Sequence, residues 1–114
     1  MGEFSFRKNE RLAKREQFDK VLSRGKRKRV ENLFTLYLLP NGHQQGRLGI
    51  IASRKVGSAV KRNLVKRRIR EVFRKIKHRI RPAMDIVVIT GRELVPLPYS
   101  VLEQKISKSL LENQ

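Results

Sequence analysis

The chain has 114 residues, 28 of them lysine or arginine and 10 aspartate or glutamate, giving a net charge of +18 and a pI of about 11.4. Hydrophobic residues make up 39 %, enough for the core of a single domain over residues 1–114, which excludes wholesale disorder. The absence of cysteine excludes disulfide scaffolds, thiolate metal sites and cysteine nucleophiles, and no apolar run approaches the roughly 20 residues of a membrane-spanning helix.

In chain order, the first predicted element is a short helix over residues 13–24. Phe18, Val21 and Leu22 share one face of it, and Gly25 stands where helices often stop. Residues 30–39 form an apolar and aromatic strand ending at the turn signal Pro40-Asn41-Gly42. Alternation puts Phe34, Leu36 and Leu38 on one face and Thr35, Tyr37 and Leu39 on the other. Residues 47–53 form a second strand, expected to pair with the first as a hairpin.

A long helix over residues 58–80 follows. Gly57 permits a sharp turn, Ser58 suits the N-cap, and Pro82 marks the end. Val65, Ile69, Val72, Phe73, Ile76 and Ile80 fall within an arc of about 100°, the buried face. Asn63, Lys66, Arg67, Arg70, Arg74 and Lys77 fall on a second arc of similar width. Residues 85–90 read as a central strand, because their apolar run is continuous. Residues 100–111 read as a last helix with Ser100 as N-cap and a stripe of Leu102, Ile106 and Leu110.

The charge is concentrated. Residues 1–29 hold 11 basic and four acidic side chains; residues 54–81 hold 13 basic ones and the single acid Glu71. Like charges at helical spacing destabilise by about 0.2–0.5 kcal/mol per pair, and a phosphate backbone removes that cost. The basic arc of the long helix is therefore a candidate nucleic-acid contact. Arg54, Lys55, Ser58, Arg62 and Asn63 cluster around the helix start, where free amides also attract phosphate. A structural RNA-binding protein, a protein enzyme and a membrane-surface helix are the competing readings. The ten acids are scattered, so no catalytic residue and no metal site is assigned to this chain. The apolar arc of the helix carries no Trp or Tyr, and the strands offer it a core, so no membrane is expected. Glu71 is expected to pair within its own helix.

The stretch from Lys55 to Glu71 resembles the signature of the bacterial ribonuclease P protein subunit. Lys55, Gly57, Ala59, Val60, Arg62, Asn63, Lys66, Arg67, Arg70 and Glu71 match it. Ser58 stands in place of an asparagine, and Leu64 in place of the second arginine of an Arg-Asn-Arg triplet. Arg68, one turn on, is a candidate substitute.

The resemblance implies an α+β fold. It would be a single-domain α/β sandwich, with a four-stranded sheet packed with three helices and a left-handed β-α-β crossover. It also implies a function: the protein cofactor of a ribozyme that removes the 5′ leader of precursor tRNA. The partners would be the catalytic RNA and precursor tRNA, with no obligate protein partner. Mg2+ would be held mainly by the RNA, and the setting would be cytoplasmic. The RNA-binding residues would be Arg54, Lys55, Ser58, Arg62, Asn63, Lys66, Arg67, Arg70, Arg74 and Lys77. A leader cleft would lie between the first helix and the sheet, with Lys14, Arg15, Phe18, Leu22, Thr35, Tyr37 and Ser53 as candidates.

Overall fold

A computed structural model describes residues 10–112. Arg7, Lys8 and Glu3 of the first charged block lie outside the described residues, as do residues 113 and 114. The elements are helix α1 (Arg15–Arg24), strands β1 (Lys26–Val30), β2 (Phe34–Pro40) and β3 (Arg47–Ile51), helix α2 (Ala59–Ile76), strand β4 (Met84–Thr90) and helix α3 (Tyr99–Leu111).

The strands form one sheet in the order β1-β2-β4-β3. β1 and β4 run antiparallel to β2, while β3 and β4 are parallel neighbours joined through α2. The hairpin expected between residues 30–39 and 47–53 does not form, because β4 lies between them. The true hairpin is β1–β2. It breaks at Glu31, whose φ of 53° makes the turn, so residues 30–39 are not one strand.

One buried carboxylate reinforces the place of β4 between its two neighbours. Asp85, at the start of β4, accepts from Arg47 Nε at 2.8 Å and Arg47 Nη2 at 2.6 Å, on β3. It also accepts from Asn41 Nδ2 at 2.9 Å, just past β2. One side chain thus ties both neighbours of β4. Burial pushes the Asp85 carboxyl up, but the Arg47 and Asn41 hydrogen bonds and the Arg47 charge outweigh burial. They hold it below the usual carboxylate range.

Strand alternation gives the sheet two different faces. Phe34, Leu36, Leu38, Leu48, Ile86 and Val88 pack on one side with Val65, Ile69, Val72, Phe73 and Ile76 of α2 and Leu102, Ile106 and Leu110 of α3. All six residues of the predicted apolar arc of the long helix are buried. Among the described residues, the other side meets α1 and the segment just before it, in a smaller cluster of Leu12, Val21 and Val87. Phe18, Leu22, Tyr37, Leu39, Ile51 and Ile89 border that cluster and stay half-buried.

Helix ends differ from the sequence reading in detail. α1 begins at Arg15, where Gln17 Oε1 accepts from the amides of Ala13 and Lys14, both at 2.9 Å. α2 is capped by Ser58 as expected, with Oγ accepting from the Lys61 amide at 3.3 Å. It closes at Ile76 and continues as a 3-10 turn, Lys77–Arg79, before Pro82 is reached. α3 begins at Tyr99 with Pro98, not Ser100, at the N-cap, the Pro98 carbonyl accepting from Leu102 at 3.0 Å.

Candidate RNA interface

The first surface is the outer side of α2 and the turn before it. Arg54 and Lys55 are exposed in a 3-10 turn, Arg54–Val56. Gly57 follows with φ 144°, a conformation that L side chains rarely adopt. A Cβ there would also come within 3.0 Å of Lys61 Cδ. Ser58, Asn63 and Arg67 are exposed, and Arg62, Lys66 and Arg70 are half-buried. Val60, on the first turn, is 77 % exposed, so the helix start is open to solvent.

Burial, reinforced by the charge of Arg11, lowers the Arg70 guanidinium from its ordinary value.

The rest of the predicted basic arc has other partners. Arg74 donates to Glu71 Oε1 from Nε at 3.1 Å and pairs with its second oxygen, as expected for Glu71. The Arg74 hydrogen bond, outweighing burial, lowers the Glu71 carboxyl. Lys77 is turned inward: Nζ lies 2.9 Å from Glu10, with both side chains buried. The wheel that placed Lys77 on the surface fails because the α-helix stops one residue earlier. Arg68 Nη1 donates to the Leu97 carbonyl at 3.3 Å and braces the segment before α3.

The second surface is the half-open side of the sheet. Lys14 and Arg15 are exposed at the start of α1, with Arg15 3.9 Å from Asp19 in a solvent-exposed pair. The Phe18 ring rests on Gly49 of β3, where a Cβ would lie 2.5 Å from Phe18 Cε1. Glycine thus lets α1 approach the sheet closely while Phe18 stays half-buried. Leu22, Thr35 and Tyr37 are also half-buried, and Ser53 is exposed beyond the end of β3.

Two residue types on this side escape the sequence reading. Ile51 and Ile89 join the half-buried apolar set, and β1 brings Arg27 and Arg29. Alternation in Lys26–Val30 would have revealed the arginines had that cation-rich segment been read as a strand.

A cavity of about 510 Å³ lies elsewhere, at the far end of α2. It is lined by His43, His78, Arg81 and the Glu10–Lys77 pair. Among the described residues no group of three or more His, Asp or Glu could hold a metal ion.

Comparison with known proteins agrees with this geometry. The family model Ribonuclease P matches residues 6–113. A ribonuclease P protein component of Desulfatibacillum aliphaticivorans is 44 % identical over 93 residues, covering 81 % of this chain and 77 % of the relative. One of Dictyoglomus thermophilum is 36 % identical over 110 residues, covering 95 % and 91 %. Among solved structures, the RNase P protein of Thermotoga maritima superposes with a TM-score of 0.81 at 34 % identity, covering 90 % of this chain and 96 % of that one. A mutant of the Staphylococcus aureus RNase P protein gives 0.83 at 31 %, covering 93 % and 88 %. The chain belongs to the ribonuclease P protein component family, the protein subunit that partners an RNA in the endoribonuclease maturing tRNA 5′ ends.

Proposed function

We propose that the two surfaces divide the work of this ribozyme cofactor. The exposed side of α2, with Arg54, Lys55, Ser58, Arg62, Asn63, Lys66, Arg67 and Arg70, binds the catalytic RNA. The half-open side of the sheet, with Phe18, Leu22, Thr35 and Tyr37, binds the 5′ leader of precursor tRNA, and Lys14 and Arg15 flank it. The observation that carries this reading is the corner where the surfaces meet. β3 presents Ile51 to the cleft, and within four residues the same chain presents Ser53, Arg54 and Lys55 at the start of the basic helix. A leader lying on the sheet is thereby led to the RNA-bound side of the protein.

The chemistry each surface supplies is simple. Basic side chains displace counterions from phosphates, which lets RNA strands and metal ions crowd together. Half-buried rings stack on unpaired bases for about 1–3 kcal/mol per base without demanding a sequence. That suits a leader of variable sequence. Magnesium supplies the water activation and charge stabilisation of phosphodiester hydrolysis, and in this reading the RNA holds it. The described residues offer no carboxylate cluster for such an ion. No described helix is long and apolar enough to cross a membrane, and the proposed setting is the cytoplasm.

The test is cleavage of a 5′-extended precursor tRNA at low magnesium. It compares protein alone, bacterial ribonuclease P RNA alone and the two together. Cleavage at the mature 5′ end that needs the RNA and is raised by the protein supports the reading. Cleavage by protein alone overturns it. RNA binding with no effect on the ribozyme points to a purely structural ribonucleoprotein role.

A further inference from the structure

The strand register extends the proposed cleft across the whole sheet. Residues paired directly across strands share a face. One row on the α1 side reads Arg27, Tyr37, Val87, Gly49, and the next reads Arg29, Thr35, Ile89, Ile51. Phe18 of α1 and Leu12, just before the helix, close the first row at its Gly49 end. The second row is left half-open, with Arg29 at one end and, past Ile51, Ser53 to Lys55 at the other. Three strand spacings of about 4.8 Å separate the ends, roughly 14 Å.

Charge on β1 is treated differently on its two sides. Lys28, facing the α3 side, pairs with Glu112 at 3.8 Å. Among the described residues no acid is ion-paired with Arg27 or Arg29. Arg29 Nε donates to the Glu31 carbonyl at 3.2 Å and Nη2 to Asn32 Oδ1 at 3.5 Å, which holds its guanidinium over the β1–β2 turn. There it lines two adjoining grooves. One, of about 190 Å³, also holds Thr35 and Ile89. The other, of about 380 Å³, reaches Ser53 and Lys55.

We propose that Arg27 and Arg29 form a second phosphate clamp, so that single-stranded leader RNA crosses the sheet from the Ser53–Lys55 corner, over Ile89, Thr35 and Tyr37, to the edge strand. This rests on the leader reading of the cleft and adds its direction and its far end. The clamp takes phosphodiester groups, not bases, and acts only on leaders long enough to reach β1.

The experiment uses holoenzyme reconstituted with bacterial ribonuclease P RNA and carrying Arg27→Gln with Arg29→Gln. Half-saturating holoenzyme concentration in single-turnover cleavage is read for leaders of about two and about ten nucleotides. Both side chains are exposed, and thermal melting checks that the fold is kept. The long leader is expected to need about tenfold more enzyme, with a salt slope shallower by about 1.4, and the short leader to be unchanged. Equal loss for both leaders overturns the clamp in favour of a diffuse field, and no loss for either also overturns it. Tyr37→Ala run alongside separates the two levels. If Tyr37→Ala weakens only the long leader while the arginine pair does nothing, the cleft stands and the clamp falls. If neither variant distinguishes the leaders, both fall.

Discussion

The two sides of the sheet are built from the same strands and end up with opposite properties. One is closed by two helices, and its row from Leu36 to Val88 is fully buried. Among the described residues the other has a single ten-residue helix for a four-stranded sheet, and its row from Thr35 to Ile51 stays half-exposed. Apolar side chains left without a cover cost stability in a free protein. Among the described residues the half-open side thus lacks a layer that RNA bases can supply, whereas the closed side holds the larger core.

Adjacent residues on β2 give the sharpest way to break that comparison. Leu36→Ala removes a fully buried side chain from the closed side and is expected to cost about 3 kcal/mol of stability. The properly folded fraction should still favour precursor over mature tRNA as the wild type does. Tyr37→Ala, one residue on, is expected to cost about 1 kcal/mol and to weaken precursor binding about tenfold through lost stacking, with mature tRNA unaffected. Denaturant melts paired with binding to both tRNAs check the two variants. Equal losses for precursor and mature tRNA in Tyr37→Ala would mean that the ring is core.

Asp85 tests what keeps both faces on one sheet. Asp85→Ala leaves Arg47, one quarter exposed, without its bidentate partner. It should lower stability by about 2–3 kcal/mol. The pH dependence has a definite sign. The folded carboxyl titrates below its unfolded value, so its contribution is complete above the unfolded pKa, near 4, and is lost as pH falls through the folded pKa. Glu71 acts in the same direction. Acid unfolding of the wild type should begin below about pH 4, and Asp85→Asn should remove part of that dependence while lowering the plateau. An unchanged acid limb would assign the pH dependence to other carboxylates.

These elements also show where the sequence was legible. β2 alternates cleanly and α2 separates apolar from basic arcs, so both faces of each were readable from side-chain period alone. β1 was not, because Lys26-Arg27-Lys28-Arg29 carries no hydrophobic signal. An edge strand keeps charges there as a guard against further pairing. Nor was the strand order, since no local pattern reports that β4 inserts between β2 and β3; it rests on pairing between strands far apart in the chain, reinforced by Asp85 contacts to residues 38 and 44 positions away. For the site, the helix start and basic stripe were legible down to Arg70. Beyond it, Arg74 pairs with Glu71 one turn back on the same helix, and only Lys77 turns inward, to the distant Glu10, a partner that helical spacing does not report.

A smaller effect distinguishes the α2 surface from the cleft. Arg67→Gln with Arg70→Gln should weaken binding of the protein to ribonuclease P RNA about tenfold at moderate salt. The salt slope should become shallower by about 1.4–1.8. If this surface faces the ribozyme and not the leader, as proposed, precursor and mature tRNA should be affected alike. Selective loss for the precursor would merge the two surfaces into one.

The smallest expected effect is a gain. Leu64, which the signature resemblance sets in the place of a second arginine, is half-buried beside the exposed Asn63 and Arg67. On the helical wheel it lies about 100° from the centre of the basic stripe, at its margin. Two things oppose each other in Leu64→Arg. The aliphatic stem of arginine can cover the apolar surface that Leu64 covers while its guanidinium reaches water, so the stability loss should stay below about 1 kcal/mol. The new charge joins Arg62, Lys61 and Arg68 and adds repulsion of a few tenths of a kcal/mol in the free protein. Bound to RNA, one added phosphate contact should steepen the salt slope by about 0.7–0.9 and tighten binding a few-fold at low salt. The two effects separate experimentally, since the repulsion lowers the melting temperature of the free protein and the contact shows only in the RNA titration. A steeper slope with no change in leader selectivity would place this margin of α2 against the ribozyme. An unchanged slope would mean that the RNA path leaves the helix on the Asn63 side, and that leucine stands here because nothing anionic comes within its reach.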